Sequence, residues 1–60
     1  MAFFVFLETD ILEPPRREPL GAETREDALE EAAAVLALRP HALKAHVFED
    51  ATAVGTVHRP

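Results

Sequence analysis

Phe3-Phe4-Val5-Phe6-Leu7 decides the reading of this 60-residue chain. A short apolar run rich in aromatic and β-branched residues predicts a strand over residues 2–8, with room to reach Asp10. Side chains alternate across a strand, so Phe3, Val5 and Leu7 take one face and Ala2, Phe4 and Phe6 the other. Both faces are apolar. One helix can cover only one of them, and the second needs another cover.

The helix follows at residues 24–39. Thr24-Arg25-Glu26-Asp27 has the form of a capping box, with the Thr24 hydroxyl placed to accept from the amide three residues on. Leu29, Ala32, Ala33 and Leu36 recur at helical spacing, widened by Ala28 and Val35, while Glu30, Glu31, Ala34 and Ala37 lie outward. Acidic residues near the start and Arg39 near the end suit the helix dipole. Pro40 disfavours helix at Arg39 and ends the segment. Alanines in the stripe predict a close approach of helix to sheet and a shallow core.

Between strand and helix, residues 9–23 carry three prolines and a glycine, which read as one long connection without regular hydrogen bonding. Compact domains rarely keep so long a loop without a packing or functional role. Ile11, Leu12 and Leu20 are the residues by which such an arm or lid would dock. Beyond Pro40 the pattern alternates into two strands, 42–49 and 53–58, joined by Asp50-Ala51-Thr52, a loop that lacks the Asn-Gly or Asp-Gly of a tight turn. Leu43, Ala45, Val47, Ala53, Gly55 and Val57 would face the helix, and Lys44, His46, Phe48, Val54, Thr56 and His58 would face away.

The expected fold is therefore α+β, a single β-α-β-β two-layer domain spanning residues 1–60, with one helix on a three-stranded mixed sheet. A right-handed crossover would make the first two strands parallel. Strand order 1-3-2 is favoured by the small residues of the last strand.

Composition narrows the chemistry. The chain has no Ser, Cys, Asn, Gln, Tyr or Trp and a single lysine, Lys44. Most nucleophiles, oxyanion donors and amide readers are thus missing. The same bias is expected of heat adaptation or of GC-rich coding sequence. A net charge of −5, with the basic residues scattered, argues against nucleic acid or an anionic membrane surface as partner. No basic leader precedes the apolar run, and the run stops at Glu8, so neither a signal peptide nor a membrane span is expected and a cytoplasmic location follows by default.

At this length folding buries only about 60 per cent of the unfolded surface, and zero cysteines remove disulfides and thiolate metal sites as supports. Association with another copy is the remaining support, most simply as a two-fold dimer. Phe4, Phe6 and Phe48 are the candidate interface. The other cluster is Lys44, His46 and His58 beside Thr56, a candidate anion or metal pocket to which Arg16 and Arg17 of the long loop would add, although no local ligand motif supports it. Glu8 with Asp10, and Glu49 with Asp50, are carboxylate pairs without an adjacent nucleophile or base, and read as solvated strand ends. No cofactor is expected.

The length and β-α-β-β order look like the small tautomerases, whose oligomers assemble by packing sheets. Their catalytic residue is an N-terminal proline exposed when the initiator Met is removed; here position 2 is Ala2, so the resemblance implies assembly and no catalytic role. Thr24-Arg25-Glu26-Asp27-Ala28-Leu29-Glu30-Glu31-Ala32 resembles the helix start of HicB-like antitoxins over about a sixth of the chain. The leading expectation is a non-catalytic homo-oligomeric interaction module. The alternatives are a small-ligand or anion binder or enzyme with its site at a subunit junction, and an acidic, antitoxin-like partner of a basic protein.

Overall fold

A computed structural model describes residues 2–12, 14 and 16–59. Met1, Glu13, Pro15 and Pro60 lie outside the described residues, so the expected 9–23 connection and the 1–60 span are described in part. The elements run β1 (Phe3–Thr9), β2 (Arg16–Leu20), α1 (Arg25–Ala37), β3 (Ala42–Glu49) and β4 (Thr52–His58). Among the described residues the four strands form one antiparallel sheet in the order β2-β1-β3-β4, with α1 against one side.

The α+β class holds, and the sheet differs from the expected one. Residues 16–20 are a strand, pairing antiparallel to β1 from Phe3↔Leu20 to Leu7↔Arg16. Proline in a strand is tolerated at an edge, where the outward amide has no partner to lose, and Pro19 sits in such an edge. This extra reversal sends the chain into α1 from β2 rather than from β1. The segment after the helix then returns antiparallel to β1, with β1 lying between β2 and β3. The parallel crossover and the 1-3-2 order are both corrected, since β3 is central and β4 is the edge.

The core lies between α1 and the sheet. Phe3, Val5 and Leu7 of β1 are buried together with Ala45 and Val47 of β3, as the alternation requires. From the helix come Ala28, Ala32 and Leu36, flanked by Leu29 and Val35, while Ala33 is exposed. Two register irregularities move individual side chains. Glu8 pairs with Lys44 and Thr9 with Ala42, so Leu43 is an extra residue on β3; it is exposed and Ala42 is buried in its place. Val47 pairs with Gly55 and Phe48 with Ala53, which makes Val54 the extra residue on β4 and packs it against the core while Ala53 is exposed. Gly55 keeps its core-side place, where a Cβ would stand 3.4 Å from the Leu29 Cδ2.

Polar contacts fasten the rim. The Asp27 amide donates to the Thr24 hydroxyl at 3.1 Å, which is the anticipated N-cap. The Arg39 guanidinium, just beyond the helix end, donates to Glu18 at 2.6 Å and ties β2 to that end. Arg59 takes the capping role from the other end of the chain, donating to the carbonyls of Leu36, at 2.6 Å, and of Ala42, at 2.8 Å, and also to that of Arg39. The Glu31 carboxylate, expected to face solvent, accepts from the Gly21 amide and pins the β2–α1 connection. Leu20 packs on the core, whereas Ile11 and Leu12 are exposed and do not dock.

The β3–β4 turn is tighter than expected, with Glu49 opposite Thr52 and only Asp50 and Ala51 between them. Asp50 supplies the required left-handed backbone, at φ 52°, and its amide donates to the Ala2 carbonyl at 2.8 Å. Among the described residues no helix is long and apolar enough to cross a membrane.

Two substitutions test this packing. Ala32→Leu forces three extra carbons into the helix–sheet contact and should cost about 1–3 kcal/mol in a urea melt, whereas an unchanged midpoint would place Ala32 outside the contact. Asp50→Val should cost about 1–2 kcal/mol through its left-handed backbone while Asp50→Gly stays within about 0.5 kcal/mol, and equal effects would show that the turn does not impose that conformation.

Candidate interaction surface

The side of the sheet away from α1 is built by register. Phe4 lies between Pro19 and Phe48, with Ala53 beyond on β4. Phe6 lies between Arg17 and His46, with Thr56 beyond, and Glu8 pairs with Lys44, with His58 beyond. The sequence thus supplies an aromatic centre on β1 and β3 with polar residues toward one end and one edge.

The three phenylalanines come together as expected. Phe4 and Phe48 stack with centroids 5.5 Å apart and planes 11° from parallel. Phe6 meets both edge-on, at 5.8 Å from each. Such pairs contribute about 0.5–1.5 kcal/mol each beyond the area they bury. The Arg17 guanidinium carbon lies 4.1 Å from the Phe4 centroid. One flank of Phe4 is therefore covered by an aromatic ring and the other by a cation, and all three rings are half-buried.

His46 is held on both sides. Its Nε2 lies 3.2 Å from a Glu8 carboxylate oxygen and its Nδ1 3.1 Å from the Thr56 hydroxyl. An ionised carboxylate only accepts, so with neutral His46 the proton sits on Nε2 and Thr56 donates to Nδ1. This carboxylate–imidazole–hydroxyl line spans β1, β3 and β4. It has the order of a nucleophile with its base, and it joins three strands through side chains; the two clefts described below are lined by other residues.

Lys44 and His58 face each other across β3 and β4, one step along from His46. The three expected ligand candidates therefore share one end of one face, with both His46 nitrogens already engaged. Among the described residues no group of three or more His, Asp or Glu side chains is disposed to hold a metal ion. The expected carboxylate pairs separate: Asp10 meets His41 at 3.2 Å, and Glu49 is 8% exposed, buried on the helix side with the Arg25 Nε at 3.0 Å. Glu49 thus corrects the expectation of a solvated strand end, because its alternation places it with Phe3 and Val47.

Two open clefts lie elsewhere. One, of about 240 Å³, is lined by Leu7, Ile11, Arg16, Arg39, His41 and neighbours at the end of β1; here Arg39 is already held by Glu18 and His41 by Asp10. The other, of about 470 Å³, runs along Leu36, Val57 and Arg59 beside the helix terminus.

Charge sets the aromatic face apart. Among the described residues its strands carry one carboxylate, Glu8, against two cations, Arg17 and Lys44, a local sum of +1 in a chain whose total is −5. Arg17 belongs to β2, a strand that the prolines conceal in the sequence. The available signal was the alternation Arg17, Pro19 against Glu18, Leu20.

Comparison with known protein families, curated sequences and solved structures gives no match. The likeness to the tautomerases rested on a β-α-β-β order, which the β-β-α-β-β chain does not have.

Arg17→Ala should lower stability by about 0.5–1 kcal/mol, read in thermal melts, with Arg17→Lys losing less. An Arg17→Ala protein as stable as the parent would show that the cation over Phe4 contributes nothing.

Proposed function

We propose that this protein is a small non-catalytic interaction module that works as a homo-oligomer, most simply a two-fold dimer, through the helix-free face carrying Phe4, Phe6 and Phe48. The observation that supports it is the position of the three rings on β1 and β3, in the middle of a face that, among the described residues, has no second layer of its own. An aromatic centre with a polar rim is the usual anatomy of a protein–protein contact. The near-neutral charge of this face within an acidic chain removes the repulsion that would otherwise oppose two copies meeting. A ligand or anion site at Lys44, His46 and His58 draws less support, because His46 spends both nitrogens on Glu8 and Thr56.

Four strands about 4.8 Å apart and some six residues long make a face of roughly 19 by 20 Å, below the ~800 Å² per partner of a standard interface. The expected affinity is therefore micromolar. Sedimentation velocity from about 1 to 200 μM should show a concentration-dependent shift from monomer to dimer. Phe4→Glu and Phe48→Glu should abolish it, and Phe4→Thr and Phe48→Thr, which suit a strand, should weaken it with the fold retained. A parent protein that stays monomeric throughout this range rejects the reading.

A further inference from the structure

We propose that the second copy docks about a two-fold axis parallel to the strands and midway between β1 and β3, so that Glu8 of each chain faces Lys44 of the other. This rests on the self-association reading above and adds its geometry. Two stacked sheets admit two simple in-plane two-folds relative to the strands. An axis across the strands through the Phe6 row inverts the rows of the face and sets Phe4 against Glu8 and Phe48 against Lys44, placing charges against aromatic rings. An axis along the strands keeps the rows and exchanges β1 with β3. Phe4 then meets Phe48 of the second copy, and Glu8 meets Lys44, each contact occurring twice.

Stacked sheets sit about 10 Å apart and cross at about 30°, which displaces groups one two-residue step from the centre by only ~3–4 Å, within the reach of Glu and Lys side chains. The same axis sets the edge residue Pro19 of β2 opposite Ala53 of β4, two small exposed residues that leave the aromatic centre free to close. Electrostatic pairing of this kind fixes orientation more than it adds affinity.

Reciprocity makes the axis testable in solution. Glu8→Lys alone and Lys44→Glu alone should each weaken self-association at least about tenfold at low salt, because each dimer then holds two like-charge contacts. Mixed one to one, the two variants should form a heterodimer close to the parent affinity. Restoration comes only from pairing between chains, since Glu8 and Lys44 are also neighbours within a chain and stay mismatched there. Should Glu8→Lys fail to fold for want of its His46 contact, the double variant Pro19→Lys/Ala53→Glu serves instead. These positions occupy opposite edges of the sheet, so a tightening of about threefold or more that neither single change gives must arise across the dimer. A parent dimer abolished by Phe48→Glu but indifferent to all charge variants overturns the axis and keeps the face. A monomeric parent removes both.

Discussion

One thirteen-residue helix covers one side of a four-stranded sheet, and the rest of the molecule is arranged around that constraint. The contact stripe is Ala28, Ala32 and Leu36, with Leu29 seated over Gly55, so two of the three buried helix residues are alanines and the layers meet closely there. A shallow core gives little burial, and the perimeter is where directional contacts accumulate. Arg25 reaches the buried Glu49 at one corner, Arg39 reaches Glu18 at another, Glu31 holds the Gly21 amide, and Arg59 gathers the carbonyls at the helix end. The Arg25 contact gives the buried Glu49 a partner, and the Arg59 contacts satisfy carbonyls that the helix terminus leaves free.

The opposite side of the sheet is handled differently. Phe4, Phe6 and Phe48 shield part of one another, Arg17 lies along Phe4, and Glu8, His46 and Thr56 form a hydrogen-bonded line beside them. Among the described residues, β2 extends the sheet sideways and brings Arg17 onto this face. Self-cover of this kind stabilises the single chain while leaving an aromatic centre available for a partner, which is the balance expected of a weak and reversible contact.

Much of this was legible in the residues. The β1 alternation placed Phe3, Val5 and Leu7 inward, the Thr24 cap fixed the helix start, and residues 42–49 were bounded correctly. The aromatic trio followed from the same period of two. What was hidden were features whose signals conflict locally: Pro19 inside a strand that survives as an edge, an Asp50-Ala51 turn that uses the tolerance of aspartate for a left-handed backbone, and two bulges that exchanged Leu43 for Ala42 and Ala53 for Val54. The long-range partners, Arg59 above all, carry no local pattern, because the helix end they serve lies about twenty residues away. Missing β2 also reversed the expected direction of the strand after the helix, which turned an antiparallel β1–β3 pairing into a parallel one within an expected mixed sheet.

The central claim is that the phenylalanine face finds its cover in a second copy of the chain. The most direct measurement is an isotope-filtered nuclear Overhauser experiment on an equimolar mixture of labelled and unlabelled protein at millimolar concentration, where only contacts between chains give signal. The account predicts cross-peaks from the Phe4 ring of one chain to the Phe48 ring of the other. Filtered spectra empty at the phenylalanine positions, with a diffusion coefficient that stays monomeric, would contradict it.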